Sequence, residues 1–352
     1  MTKNHAISFS ICIVALLSLN PAEVFDTVSF EASNSLRNDG KPVVSNLIGP
    51  DSNETLKADF FNADRVVFLG DSNTNQGGYI HQFEETLRLK FDRVPELINL
   101  GLSSETCCGL SEPIHPFPRP NVQDRLERVF ELAQPDLVFA CYGMNDGIYH
   151  PFDPQRFSAF QNGIDKIIKS CQARKIKLVL LTPPPFDPLP KKKAGKLVPA
   201  NAEEFSYQTV YEDYDKVISQ YAAWIMQQDN QASVIAIDIH TPMKSELSKQ
   251  RETDPDFTFS NDGVHFNAKG HQVVAQAILA ALQSDLKIQK DQKLGKLIQK
   301  SQNLSHWAWL SHVGHDRPNV QPGLPIKQAY VKINAISKQI DSLLNRESNS
   351  KN

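Results

Sequence analysis

Short apolar runs alternate with segments of helical periodicity along most of the chain, and this alternation restricts the fold more than any other feature. Each run is rich in Val, Ile and Leu, as expected of strands that are buried on both faces of a sheet. The runs occupy residues 65–70, 96–102, 136–143, 177–185 and 233–240. Strands that alternate with helices predict right-handed βαβ units, and therefore an α/β fold with one parallel sheet of about five strands between layers of helices.

The segments between the runs place apolar residues three and four positions apart, which predicts amphipathic helices. They cover residues 81–91, 124–133, 157–172, 214–228 and 268–283. In an open parallel sheet, ligands bind beyond the carboxyl ends of the strands. The residues that follow each apolar run are therefore the candidates for a functional site.

The overall composition is that of an ordinary soluble globular protein. The chain has 352 residues, of which 40% are hydrophobic and 22% charged, enough for one large domain with additions. Its formal net charge of -3 gives no electrostatic basis for binding nucleic acid, so no nucleic-acid partner is expected.

The N-terminus has the features of a secretory signal peptide. Lys3 and His5 precede an apolar stretch at 6–19 that is short for a transmembrane helix. We expect residues 1–22 to be removed, which predicts a secreted or periplasmic protein with no stable membrane span; an uncleaved N-terminal anchor is the alternative. Residues 23–60 show little periodicity and are expected to form a lead-in.

Removal of the signal would leave cysteines only in the body of the protein. Four cysteines in an exported protein allow three pairings, and the sequence does not choose among them; free buried thiols are the alternative. These cysteines are Cys107, Cys108, Cys141 and Cys171.

Polar clusters follow the predicted strands in a pattern that suits nucleophilic catalysis. Ser72 follows the first run and Asn145 the third, whereas Asp262 and His265 precede the last predicted helix of the body. Acyl transfer requires a hydroxyl, an imidazole base, a carboxylate that orients the imidazole, and donors for an oxyanion. Because Asp262 and His265 are three positions apart, one turn would let the carboxylate hold one ring nitrogen while the other faces the serine. A serine at a strand end is by itself more typical of a helix N-cap, so the interpretation depends on all these groups occurring together.

Four short segments resemble the ordered blocks of the SGNH hydrolases, also called the GDSL esterase/lipase family. They are GDSNT at 70–74, NLGLSSET at 99–106, GMND at 143–146 and DGVH at 262–265. The G-x-S-x-G elbow of the α/β-hydrolases is absent. The resemblance covers most of the body and implies a flavodoxin-like, three-layer α/β/α fold.

The resemblance also implies a role for each matched residue. Ser72 is then the nucleophile, His265 the general base and later acid, and Asp262 its orienting partner. The oxyanion donors are the backbone N–H of Ser72 and the side chain of Asn145, with a third donor from the second block.

The third donor departs from the family pattern, which usually has a glycine there. This sequence places Ser104 at that position, with Gly101 as the alternative. A backbone N–H needs no particular side chain, so Ser104 can serve if it reaches the required backbone angles. Asn73 likewise replaces the apolar residue that usually follows the serine. Asp71 and Asp146 are interpreted as structural caps.

This chemistry needs neither cofactor nor metal. The histidines outside the site are scattered and form no zinc-type cluster with carboxylates, and no glycine-rich phosphate loop follows the first run.

Two segments lie outside the alternating pattern. Residues 183–204 form a long connection rich in proline and lysine, which predicts either a functional rim or a solvated loop. Residues 286–352 contain a basic amphipathic helix at 286–300, two tryptophans and a closing helix. We expect a hydrolase domain over 61–285 and a helical extension over 286–352 that packs on it.

The sequence therefore predicts a serine esterase that acts on a small-molecule or polymer ester. The signal peptide and the family resemblance imply a small acyl group on a carbohydrate or cell-wall polymer as the substrate. A lipase, thioesterase or acyltransferase of the same fold is the first alternative, although the lysines of 183–204 do not suit the apolar rim of a lipase. A non-catalytic carbohydrate-binding module is the second, although such a protein has no use for a proton relay.

Overall fold

The structure, a computed structural model that describes residues 50–350, is built on a parallel sheet. Its strands are β1 (Arg65–Gly70), β2 (Glu96–Asn99), β3 (Leu137–Cys141), β4 (Lys177–Leu181), β5 (Leu197–Val198), β6 (Val210–Tyr211) and β7 (Val234–Ile237). Five of them form the central sheet in the order β2-β1-β3-β4-β7, whereas β5 and β6 form a separate two-stranded ribbon. Every neighbouring pair is parallel, and each predicted run contains one of the five central strands, so the predicted sheet is confirmed.

Helices lie between the strands, before the first strand and after the last one. They are α1 (Pro50–Asn62), α2 (Ser72–Gln76), α3 (Gly78–Lys90), α4 (Leu126–Ala133), α5 (Pro154–Arg174), α6 (Pro188–Lys193), α7 (Tyr214–Met226), α8 (His240–Arg251), α9 (Ala268–Leu282), α10 (Gln292–Val313) and α11 (Ile326–Ser350). Among the described residues, no helix combines the length and the hydropathy needed to cross a membrane. The sequence pattern did not predict α8, because its polar sequence buries few apolar side chains, Met243 and Leu247.

Alternate residues of β1 belong to two different apolar clusters. Val67 and Leu69 pack with α4, α5 and α7, whereas Val66 and Phe68 pack with α1, α3, α8 and α9. Because successive side chains of a strand point to opposite faces, both faces of the sheet are covered by helices. The three-layer α/β/α architecture is therefore confirmed, and the strand order is the flavodoxin-like one.

Helix α1 lies in a segment where little regular structure was expected. Leu56 and Phe60 are four residues apart on one side of this helix, and both are fully buried. The Phe60 ring meets the Phe83 ring of α3 edge to face, with centroids 5.5 Å apart. The lead-in thus contributes to the core from Leu56 onward. The predicted signal peptide at 1–22 and the lead-in residues 23–49 lie outside the described residues.

Helix α10 covers the open edge of the sheet at β2. Gln302 Nε2 donates to the carbonyl of Leu97 at 3.1 Å, and His306 Nδ1 lies 3.0 Å from the carbonyl oxygen of Asn99. An edge strand otherwise leaves such backbone groups without partners. The helix begins at 292 rather than 286, because Asp291 caps it by accepting from the N–H of Lys293 and of Leu294.

The last helix, α11, packs mainly on α10. Leu294 and Ile298 of α10 form a small buried cluster with Ile336 and Ile340 of α11.

The two tryptophans of the extension differ in their burial. Trp309 is buried and donates to Tyr330 Oη at 2.9 Å, as expected of a residue that attaches an extension, whereas Trp307 is 40% exposed.

A buried histidine makes the stability of this fold sensitive to acid. His271 of α9 contacts Gln76 of α2 through Nε2 at 3.0 Å, and burial together with the charge of His81 lowers the pKa of His271 to about 4. In the unfolded chain its pKa is about 6.5. Between this pH and about 4, His271 therefore binds a proton in the unfolded state but not in the folded state.

We therefore expect the free energy of unfolding to fall as the pH drops from about 6.5 to about 4, by on the order of 3 kcal/mol from this residue. The measurement is chemical denaturation across this pH range. The variant His271→Phe keeps a ring but cannot titrate, so its stability should decline less. An equal decline in both proteins would contradict this assignment.

Candidate active site

The strand order brings the ends of β1 and β3 together. The chain leaves β1 for the edge strand β2 and returns on the other side of β1 to β3, so the order reverses between these two strands. Such a reversal opens a crevice at the carboxyl ends of the strands. Ser72 follows β1 and Asn145 follows β3, so both stand at this crevice.

Ser72 is the first residue of the short helix α2. Asp71 caps this helix, and its Oδ1 accepts from the N–H of Asn73 at 3.0 Å. The turn is tight at Gly70, where a Cβ would lie 2.3 Å from Thr74 Oγ1. Ser72 is only 8% exposed, and as the first residue of a helix it has a backbone N–H with no partner inside the helix.

Asp262 and His265 form a hydrogen-bonded pair within one loop. Asp262 Oδ2 lies 2.7 Å from His265 Nδ1, and Oδ1 accepts from the N–H of Val264 and of His265, both at 2.9 Å. Although partial burial opposes it, these hydrogen bonds hold the pKa of Asp262 below its ordinary value. The hydrogen bond to Asp262 raises the pKa of His265 above its ordinary value, which strengthens the ring as a base.

The loop that carries His265 is attached to the helix that begins with Ser72. Asn73 Nδ2 donates to the carbonyl of Val264, and Asn73 Oδ1 accepts from the N–H of Phe266, both at 3.0 Å. The charges of Asp71 and His265 also interact, and burial raises the pKa of Asp71 to about 6. Asn73, the residue after Ser72, thus contacts the His265 loop directly.

Asn145 is a buried side chain with a fixed orientation. Its Oδ1 accepts from Tyr149 Oη at 2.9 Å, and its Nδ2 donates to the carbonyl of Glu105 at 3.2 Å. An amide nitrogen has two hydrogens, so one remains for a ligand. The second hydrogen makes Asn145 suitable as a donor to an anion in the crevice.

Ser104 and Gly101 differ in whether their backbone N–H is in use. Ser104 has a φ of +69°, in the left-handed region that glycine adopts most easily, and no hydrogen bond within the described residues uses its N–H. The N–H of Gly101 donates to Asn99 Oδ1 at 2.9 Å. A Cβ on Gly101 would also lie 2.4 Å from the backbone nitrogen of Asn75, so its small size serves packing. The geometry favours Ser104 over Gly101 as a donor.

Buried carboxylates hold the loops that carry these donors. Glu105 forms an ion pair with Arg125 at 2.6 Å and accepts from Tyr142 Oη at 2.7 Å. Asp146 accepts from the N–H of Cys107 at 2.8 Å and of Gly143 at 2.8 Å, which joins the loop after β2 to the turn after β3. Asp146 thus has the structural role assigned to it from the sequence. The cysteines of the described residues, Cys107, Cys108, Cys141 and Cys171, carry free thiols.

Arg119 is a site residue that the sequence pattern did not reveal. Its guanidinium forms a buried ion pair with Glu112, donates to the carbonyl of Ser104 at 3.3 Å, and lies 5.6 Å from the centre of the Tyr149 ring. It therefore supports Ser104 directly and Asn145 through Tyr149. The segment around Arg119 has no periodicity or motif that could have indicated this contact.

The long connection at 183–204 borders the His265 loop. The carboxylate of Asp187 accepts from Arg251 at 2.8 Å and from Thr258 Oγ1 at 2.6 Å, and its backbone N–H donates to the carbonyl of Gly263 at 3.0 Å. The connection contains α6 and β5, so part of it has regular structure. Within residues 50–350, no group of three or more His, Cys, Asp or Glu side chains is arranged to hold a metal ion.

Comparisons with known proteins agree with this architecture. Residues 68–273 match the model of the GDSL-like lipase/acylhydrolase family. No curated protein matches the chain.

Three solved structures illustrate the similarity. A gut microbial diltiazem-metabolizing enzyme, BT4096, is 21% identical with a TM-score of 0.50, and the match covers 62% of this chain but only 46% of that one. Axe2, an acetylxylan esterase from Geobacillus stearothermophilus, is 17% identical with a TM-score of 0.45 over 64% of this chain and 97% of Axe2. A GDSL-like lipase from Bacteroides thetaiotaomicron is 19% identical with a TM-score of 0.41 over 67% of this chain and 96% of its own. At 21% identity, the similarity to the first enzyme shows a shared fold.

The pairing of His265 with Asp262 predicts a measurable ionisation. The ring of His265 should titrate above the ordinary value of about 6.5 in an NMR pH titration. The variant Asp262→Asn removes the negative charge from the hydrogen-bonded partner, so the pKa of His265 should fall. A titration that is the same in both proteins would show that the two side chains do not interact in solution.

Proposed function

Since the chain belongs to the GDSL-like lipase/acylhydrolase family and is an ester-bond hydrolase, we propose that it works as a serine esterase through an acyl-enzyme on Ser72. The observation that carries this proposal is the attachment of the Asp262–His265 pair to Asn73, the residue next to Ser72. This contact joins segments that are far apart in the sequence, and it lies at the crevice where Asn145 and Ser104 offer donors.

In the proposed first step, His265 Nε2 removes the proton of Ser72 Oγ while Asp262 holds Nδ1. Ser72 Oγ attacks the ester carbonyl carbon, and the carbonyl oxygen becomes an oxyanion. The backbone N–H groups of Ser72 and Ser104 and the free amide hydrogen of Asn145 stabilise that negative charge. The protonated His265 then gives its proton to the alcohol oxygen as the carbon–oxygen bond breaks and the acyl group stays on Ser72.

In the second step a water molecule replaces the alcohol. His265 accepts a proton from the water, whose oxygen attacks the acyl carbon, and the same proton returns to Ser72 Oγ as the acid leaves. The raised pKa of His265 favours proton removal in both steps, provided that the pH keeps the ring neutral.

For the substrate, we propose a small acyl group on a carbohydrate or cell-wall polymer. The rim beside the His265 loop is polar: Lys191 Nζ donates to the carbonyl of Tyr207 at 2.8 Å, and Lys192 and Lys193 of α6 are exposed. Such a rim suits a hydrated alcohol better than a long acyl chain. The predicted signal at 1–22 supports a secreted or periplasmic site of action, where such polymers occur.

The proposal is tested by labelling the nucleophile. A fluorophosphonate should modify Ser72, and the protein should hydrolyse short-chain aryl esters and acetylated sugars faster than long-chain fatty esters. The folded Ser72→Ala variant should do neither. Labelling of another residue, or no labelling of a folded sample, would refute the assignment of Ser72 as the nucleophile. A preference for fatty esters would refute only the proposed substrate class.

The proposed oxyanion donors predict contrasting effects of two substitutions. Asn145→Ala removes a side-chain donor and should lower kcat by about 10²–10³ with a smaller effect on KM. Ser104→Gly keeps the backbone donor and suits a φ of +69°, so kcat should stay close to that of the wild type. Steady-state kinetics on an aryl ester measures both, and an unchanged kcat in Asn145→Ala would exclude that residue from the oxyanion hole.

A further inference from the structure

We propose that Asn73 is a positioning residue that sets the distance between the nucleophile and the general base; this inference rests on the proposed function. Asn73 is buried, with 5% of its surface exposed. Its side chain contacts the backbone on both sides of His265, through the carbonyl of Val264 and the N–H of Phe266. The amide nitrogen of Asn73 thus bonds a residue 191 positions further along the chain, and its amide oxygen bonds one 193 positions further along.

The Asp262–His265 hydrogen bond cannot itself set this distance. Both residues belong to the same loop, so their bond fixes the rotation of the ring but does not itself connect the loop to Ser72. Their side chains are 44% and 43% exposed, so packing also holds them weakly. Asn73 makes two direct hydrogen bonds between the nucleophile helix and this loop.

Other contacts of the loop lead to different parts of the molecule. The carbonyl of Gly263 accepts from the N–H of Asp187, which attaches the loop to the rim after β4. Ser260 pairs with Phe266 inside the loop itself. Neither contact reaches α2, so neither links the loop directly to the helix that carries Ser72.

The nucleophile side of this link is equally well held. The backbone N–H of Asn73 donates to the Asp71 cap at 3.0 Å, and Ser72 lies between these two residues. Asn99 Nδ2 donates to the carbonyl of Thr74 at 2.7 Å, which ties α2 to the end of β2. The position of the Asn73 amide is therefore fixed by α2. Its two hydrogen bonds in turn fix the loop that carries His265 relative to this helix.

A side chain with only one kind of polar atom cannot make both contacts. Leucine has the same branching and number of side-chain heavy atoms as asparagine but makes no hydrogen bond. Aspartate still accepts from the N–H of Phe266, but it places a negative oxygen against the carbonyl of Val264. Both changes leave the Asp262–His265 pair intact, because that pair lies wholly within the loop.

The test compares kcat, KM and the pH dependence of Asn73→Leu and Asn73→Asp with those of the wild type. Small displacements of catalytic groups lower rates strongly, so we expect kcat to fall by about ten- to hundredfold in each variant, with KM changed much less. Fluorophosphonate labelling of Ser72 should slow in parallel, because it uses the same base. In Asn73→Leu the pKa of the acid limb of the kcat/KM profile should not move, since Asp262 still holds the ring and no charge is added; the new carboxylate of Asn73→Asp should raise it.

Asn75→Ala is the matched control in the same helix. The Asn75 side chain contacts His306 of α10 at 3.2 Å instead of the His265 loop, so this variant should keep the wild-type kcat. Any one of three results would overturn the positioning role. These are a wild-type kcat in Asn73→Leu, a loss of kcat in Asn75→Ala equal to that in Asn73→Leu, and a pKa of the acid limb in Asn73→Leu displaced as in Asp262→Asn.

A measurement without substrate separates this inference from the proposed function. Hydrogen exchange at the amide of Phe266 should be faster in Asn73→Leu than in the wild type and Asn75→Ala, whether or not the protein hydrolyses esters. Inactive, unlabelled wild-type protein would refute the proposed function. Active wild-type protein with equal exchange and equal kcat in Asn73→Leu would refute only the inference about Asn73.

Discussion

The parallel pairing of β1 with β3 is the constraint on which the site depends. Gly70 lies opposite Cys141 in this pair, so the two strands end at the same level of the sheet. Because they run in one direction, Ser72 and Asn145 emerge at the same edge although they are far apart in the chain. The order reverses between these strands, which leaves no crossover helix directly above the crevice. A hydroxyl and an amide donor thus share one opening.

Polar groups buried beneath the loops give that opening its detailed shape. Glu105 with Arg125, and Glu112 with Arg119, are ion pairs with almost no exposure. Such pairs add little net stability, because desolvation offsets much of their attraction, but loss of one partner is costly. Their value here is geometric. They hold the loop after β2 so that Ser104 adopts a left-handed backbone without being a glycine.

The sequence predicted the features that depend on neighbouring residues better than those that depend on contacts between distant segments. Periodicity is local, so it predicted the five central strands and the helices α3, α4, α5, α7 and α9. The polar blocks predicted which residues would be candidates for the site, since each follows an element whose end the sheet gathers. Arg119 was missed because its partners, Ser104 and Tyr149, are defined only by loop conformation. The start of α10 was misplaced because Asp291 caps it after six further residues of apparently helical pattern.

The sequence by itself determined the layers, the order of the polar blocks and the membership in a hydrolase family, because apolar spacing and short motifs are properties of neighbouring residues. Tertiary structure alone decided how the blocks meet. Asn73 was only an unexplained departure until folding placed it against Val264 and Phe266, about 190 residues further along the chain. Hydrogen bonds over such separations depend on how the loops close over the sheet, and no local pattern encodes that closure.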